Sequence, residues 1–191
     1  MSSSGAFIGL LWVVLWAYWL ISAKSAKKSV RSGWRWSGGA SRLAIFIAAV
    51  VLVHLFVSRQ FLADITRRTH PPGGVAATIG VIVCAAGVAL AIWSRVQLGQ
   101  NWGMPMSLRV EPELVTSGPY TYVRHPIYSG LLLAMLGSAI AVSPNWLVFL
   151  AGFFLYFLYA ARVEEGHMTQ RFPDVYPEYQ RRTKMLIPFL L

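Results

Sequence analysis

From Pro126 to Ala161 the chain carries no charged side chain. The run reads "PIYSGLLLAMLGSAIAVSPNWLVFLAGFFLYFLYAA" and is broken once, at Ser143-Pro144-Asn145, a turn signal. A membrane-spanning helix takes roughly 20 apolar residues, so the run predicts a helical hairpin. One arm runs from about Ile127 to Val142 and the other from about Trp146 to Val163. Both arms are short for a bilayer, which predicts tilt or local thinning.

The hairpin converts distance in sequence into proximity. Its arms are nearly equal, so "RHP" (Arg124 to Pro126) and "RVEE" (Arg162 to Glu165) are expected at one membrane face. That gathers Arg124, His125, Arg162, Glu164 and Glu165. Carboxylates at a span end are costly unless paired or wet, and ionisable groups there are candidate site residues. Successive helical residues point about 100° apart. One glutamate can therefore pair with an arginine while the other meets a ligand. Each group also has a plain reading. The arginines suit topological anchors, the histidine an interfacial residue satisfied by backbone or water, and the glutamates a solvated helix face. Their joint occurrence around one hairpin favours a site.

Composition agrees with a membrane setting. Of 191 residues 56% are hydrophobic and 13% charged, against about 25% charged in soluble domains; the mean hydropathy is +0.54. The net charge of +10 does not point to nucleic acid, because the aromatics lie in apolar runs away from the basic residues. Anionic headgroups and topology account for it. The single cysteine, Cys84, permits no intrachain disulfide. The first apolar run precedes its basic residues, which reads as a retained span rather than a cleaved signal.

Three further spans are expected: Ala6 to Ile21 with Trp12, Trp16 and Trp19; Leu43 to Ala63 with His54; and Val75 to Trp93. The last carries small residues at helical spacing, Ala76, Gly80, Cys84, Gly87 and Ala91, which suit close helix packing. The loop with Lys24, Lys27, Lys28, Arg31, Arg35 and Arg42 has no acid and is expected in the cytoplasm. The fold class is thus all-α, a polytopic integral membrane protein of about five transmembrane helices. Helices four and five form a tight hairpin, followed by a cytoplasmic tail. The N-terminus is outside, and in a bacterium the membrane is the inner one. We expect one membrane domain, with residues 1–95 on the acceptor side and residues 96–191 forming a cofactor site. The tail mixes apolar, aromatic and basic residues and is expected across the cytoplasmic mouth or in the interface. Tyr176 and Tyr179 would share a helix face, although Pro177 argues against a regular helix there. Glu164-x-x-His167 has the form of half a di-metal site, but the first three spans supply no acid to complete it. No metal is expected.

The ordered set "LVTSGPYTYVRHPIYSG", an uncharged hairpin and "RVEEGHMTQRFPDVYPEY" resembles the isoprenylcysteine carboxyl methyltransferase family of membrane enzymes. The shared pattern falls on Leu114-Val115, Gly118, Tyr120, Arg124 to Gly130, Glu164-Glu165, Phe172, Tyr176 and Tyr179. It covers about Leu98 to Pro188, with Pro173 where glycine is usual and Met168 where leucine is usual. The resemblance implies S-adenosylmethionine as methyl donor, in a pocket built from the hairpin ends, the preceding loop and the tail. It implies that Leu114, Val115, Tyr120, His125, Pro126, Ile127 and Tyr128 line that pocket. Glu164 or Glu165 would bind the donor's ribose hydroxyls or amino group. Arg162 would hold an acceptor carboxylate at the reacting end, with Arg124 as the second catalytic candidate. The implied partners are the bilayer and a lipophilic small-molecule or lipid-modified acceptor, with O-, N- and S-methylation all open. Two other readings remain at this point. Some NADPH-dependent membrane sterol reductases carry a similar Arg-His-Pro-x-Tyr segment. A non-catalytic scaffold or transporter would use the charges only for topology.

Overall fold

A computed structural model of the chain describes residues 3–23, 48, 74–102 and 113–188. In chain order its helices are α1 (Ser3–Ala23), α2 (Gly74–Leu98), α3 (Pro126–Ala141), α4 (Trp146–Arg171) and α5 (Tyr176–Arg182). No strand occurs among the described residues. Helices α1, α2 and α4 are long and apolar enough to cross a membrane, and α3 is a shorter apolar helix. Apart from Ala48, the expected span from Leu43 to Ala63, with His54, lies outside the described residues, as do the basic loop before it and most of the following loop.

The expected hairpin is α3 and α4. Pro126 opens α3 in its first turn, where a missing N–H costs nothing. After Ala141 the Ser143-Pro144-Asn145 turn reverses the chain, with Trp146 N–H donating to Ser143 O. The second arm continues past Val163 to Arg171, so Glu164 and Glu165 lie on the helix itself. Pro177 does not prevent a helix in the tail. It falls in the first turn of α5, where proline is tolerated.

Helices α2 and α3 are pressed together along small residues. Gly80, Cys84, Gly87 and Ala91 on α2 meet Ala141, Gly137, Ala134 and Gly130 on α3, in antiparallel order. A methyl group added at Gly80 would lie 2.5 Å from the backbone nitrogen of Ala141. One added at Gly130 would lie 2.7 Å from that of Ala91. Those distances leave no room for a side chain, so the glycines are required by backbone approach. Helix α1 packs onto this pair through buried Ile8 and Leu15. Trp12 Nε1 donates to Ser138 Oγ at 3.1 Å, and the Trp12 ring stacks on Trp146.

Buried Arg95 closes the opposite end. Its guanidinium donates to the carbonyls of Gly99 and Ser22, each at 2.7 Å, and so satisfies backbone acceptors at the ends of α2 and α1. It also lies 4.7 Å over the Trp102 ring, which meets Trp19 edge-on.

Candidate active site

The segment before α3 is bent by Gly118, whose φ of +61° favours glycine. A short 3-10 turn, Gly118–Thr121, follows and buries Tyr120. The Tyr120 hydroxyl donates to Ser94 O at 3.4 Å, and its carbonyl accepts from the Tyr179 hydroxyl at 2.6 Å. The C-terminal segment then runs beside the start of α3. Arg124 N–H donates to Lys184 O at 2.8 Å and His125 N–H to Met185 O at 3.0 Å. Ser129 Oγ reaches Leu186 O. These backbone bonds lay the tail across the hairpin mouth.

Two carboxylates face this mouth, and their surroundings differ. Glu165 is held on both oxygens. Arg124 Nε donates to Oε1 at 2.6 Å, and Gln180 Nε2 donates to Oε2 at 3.0 Å. Arg124 Nη1 also donates to the carbonyls of Gln180 and Thr183. Both members of the pair are largely buried, with 11% and 10% of their side chains exposed. Glu164 is the more open, at 26%. Its Oε1 accepts from the Tyr128 hydroxyl at 2.7 Å, and its Oε2 lies 3.4 Å from His125 Nδ1.

His125 lies between the two. Its Nε2 is buried 3.4 Å from Glu165 Oε1 without completing a hydrogen bond. The ring stacks on Tyr128, with centroids 5.5 Å apart and planes 5° apart. Tyr128 in turn stacks on Phe157 at 4.4 Å. Burial works against the imidazolium, but the glutamates on either side outweigh it and hold the imidazole above its usual range.

The structure thus brings together Arg124, His125, Tyr128, Glu164 and Glu165. Pro126 is buried at the start of α3, and Ile127 packs beside the Tyr128–Phe157 cluster. Tyr120 is joined to the tail through Tyr179. Leu114 and Val115 line a cleft of about 500 Å³ with Gln97, Asn101, Glu113 and Ser117. In that cleft Gln97 donates to Ser117 Oγ at 2.6 Å and Asn101 to Glu113 Oε2 at 3.2 Å. Arg162 stands apart. It is exposed on α4 and makes no hydrogen bond or ion pair with the cluster among the described residues. Sequence reasoning passed over Gln180. Its one signal is its place a helical turn after Tyr176, on the face of α5 that turns inward.

Residues 75–175, just over half of the chain, match the phospholipid methyltransferase family. The chain belongs to that family. The match includes both arms of the hairpin and ends just before α5. A cobalt-zinc-cadmium resistance protein of Cupriavidus metallidurans is 34% identical over 59% of this chain and 49% of its own length. A methanethiol S-methyltransferase of a Pseudomonas species is 26% identical over 75% of this chain and 58% of its own. The chain spans about half the length of these relatives. Its fold matches a solved eukaryotic intramembrane Ras methyltransferase, an isoprenylcysteine carboxyl methyltransferase. That match has a TM-score of 0.56 and 23% identity, and covers 78% of this chain and 53% of the other. The resemblance read from the motifs is therefore matched by the fold. The family and the apolar helices make this an integral membrane protein.

The cluster suits a cationic sulfonium donor. It offers a partly exposed carboxylate, stacked aromatic rings and a buried imidazole nitrogen lacking a hydrogen bond, all at one mouth.

Proposed function

We propose that the chain is an integral membrane methyltransferase that uses S-adenosylmethionine and methylates a small lipophilic acceptor. The observation that carries this reading is the division of labour between the glutamates. Glu165 is largely buried and held by Arg124 and Gln180, whereas Glu164 is the more exposed of the two and stands beside the Tyr128 phenol and the His125 ring. Glu164 is then the residue that takes the donor's amino group or ribose hydroxyls. The donor, when bound, supplies a methyl group activated by a positively charged sulfur. The rings of Tyr128 and Tyr120 favour a cation nearby, and Leu114 and Val115 supply apolar wall.

Arg124 acts here as a positioning residue. Its guanidinium is committed to Glu165 and two carbonyls, so it fixes the tail against the hairpin rather than meeting an acceptor. Arg162 is exposed and makes no hydrogen bond or ion pair among the described residues, which suits a residue that meets an acceptor arriving along α4. Methyl transfer needs alignment and exclusion of water more than acid–base assistance when the acceptor is already ionised. An acceptor carboxylate would need only orientation by Arg162. A thiol would have to lose a proton. One relative is named for a thiol and the structural neighbour for a carboxyl group, and both classes belong in the acceptor screen.

We place the mouth in the cytoplasm, with the N-terminus outside, from the basic first loop. In this reading residues 96–191 form the donor site and residues 1–95 contribute to acceptor choice. Calorimetric titration of S-adenosylmethionine into the purified chain in detergent tests the function. Binding that is lost in Glu164→Gln, with a transferred label appearing on lipid or thiol acceptors, supports it. No binding to the intact chain overturns it.

A further inference from the structure

We propose that Arg95 is a positioning residue for the donor: it fixes one wall of the Leu114–Val115 cleft and ties that wall to the end of α1. The proposal rests on the methyltransferase reading above, in which the cleft belongs to the donor site.

Two helix ends converge on this side chain. Arg95 stands in the last turn of α2 and is 2% exposed. Its Nη1 donates to Gly99 O and its Nη2 to Ser22 O, each at 2.7 Å. Those carbonyls lie at the C-terminal ends of α2 and α1, where helix carbonyls lack intrahelical partners and carry partial negative charge. The face of the guanidinium covers the Trp102 ring at 4.7 Å, and Trp102 meets Trp19 of α1 edge-on. A planar fork with donors on separate nitrogens can hold two carbonyls and stack on a ring at once. An ammonium cannot.

What Arg95 holds is a wall of the cleft. Residues 97–101 form that wall and residues 113–117 the facing one. The first wall turns at Gly99, whose φ of +55° is a glycine conformation. The turn closes on the carbonyl that Arg95 holds, since Gly99 O also accepts from Trp102 N–H at 3.4 Å. From this turn Asn101 reaches across. It donates to Glu113 Oε2 at 3.2 Å and accepts from Glu113 N–H at 3.4 Å. Gln97 makes a second crossing, to Ser117 Oγ at 2.6 Å. Leu114 and Val115 lie between the two crossings in sequence, so their place follows from where Gln97 and Asn101 stand. Arg95 thus acts through Gly99 and Trp102. By the same side chain a displacement of α1 reaches the donor cleft.

The test is calorimetric titration of S-adenosylmethionine into the full chain in detergent, reading affinity and the number of sites separately, with thermal unfolding alongside. In Arg95→Met the number of sites per folded chain should hold while donor affinity falls by about tenfold or more. Arg95→Lys keeps the charge at the helix ends but loses the fork, and should recover only part of that affinity. Trp102→Leu keeps the charge and both carbonyl bonds and should lose about threefold. A residue that only stabilised the fold would lower the unfolding temperature and the number of sites together, and leave affinity unchanged. Unchanged affinity in Arg95→Met therefore overturns the proposal. Where that variant gives no folded chain, unchanged affinity in both Arg95→Lys and Trp102→Leu does so. Trp19→Leu, on α1, should weaken the donor in the same direction as Trp102→Leu, and unchanged affinity there overturns the tie to α1. These outcomes leave the methyltransferase reading standing. No donor binding by the unaltered chain overturns both.

Discussion

The α2–α3 seam and the mouth of the hairpin are both buried, and they are held in opposite ways. The seam works by absence. Gly80, Gly87, Gly130 and Gly137 bring two backbones so close that a methyl group has no space. The mouth works by presence, each charged atom needing a named partner. Helix α3 belongs to both. Gly130 faces Ala91 across the seam, while Tyr128, two residues earlier, faces Glu164 and Phe157. The seam therefore fixes where the site's aromatic stack stands. Residues that carry no chemistry set the geometry of those that do.

Overpacking the seam gives the largest expected effect. In Gly137→Leu the new side chain meets the backbone of Cys84, and the loss should reach about 3 kcal/mol, the upper end for overpacked cores. The measurement is thermal unfolding together with the monodisperse fraction in detergent. Gly9 is the control, since a methyl there meets nothing within 4 Å. Gly9→Ala should be neutral or stabilise by about 0.5–1 kcal/mol. Equal behaviour of the two variants would dissolve the contrast between seam and open surface.

Breaking the mouth comes next. Arg124→Met leaves Glu165 largely buried with Gln180 and the His125 ring as its neighbouring side chains. The expected cost is about 3 kcal/mol, because a buried carboxylate loses its guanidinium partner. Arg124→Met combined with Glu165→Met should recover much of it. A double variant as unstable as the two single losses added together would show that the pair does not act as a unit.

These two regions were legible in the sequence to different degrees. The hairpin could be read from the uncharged run and its Ser-Pro-Asn turn, because turn chemistry marks boundaries, but the second arm runs on through the charged residues past Val163 to Arg171. The small residues of α2 stood out as a row. Their partners on α3, Gly130, Ala134, Gly137 and Ala141, did not, because a uniformly apolar helix hides which face meets a neighbour. Arg124, His125, Glu164 and Glu165 were foreseen together. The helix turn decided which glutamate meets Arg124, and it turned Arg162 outward. Gln180 stayed hidden because its spacing from Tyr176 means little until the tail is seen to fold back.

A smaller effect separates fold from function at the mouth. Tyr128→Phe keeps the stack on Phe157 and removes the 2.7 Å bond to Glu164. A hydrogen bond to a charged group contributes roughly 1.5–3 kcal/mol. The expected loss is therefore about tenfold or more in donor affinity, read by titration, with the fold intact by thermal unfolding. An unchanged affinity would remove Glu164 from the donor site.

The smallest expected effect is a slope. Burial pulls the His125 imidazole down, but the two glutamates outweigh it and hold it above its ordinary range. A group whose folded value is raised contributes stability that is fully present below its unfolded value. That contribution is lost as pH rises through the folded value. Between about pH 6 and pH 8 the chain without donor should therefore lose stability as the medium becomes more alkaline, while His125→Gln should show a flatter profile. The seam contains no titrating group of this kind. Gly80→Ala should consequently lower the whole curve and leave its slope unchanged. If the slope moved with the seam variant and stayed in His125→Gln, the titrating group would lie elsewhere.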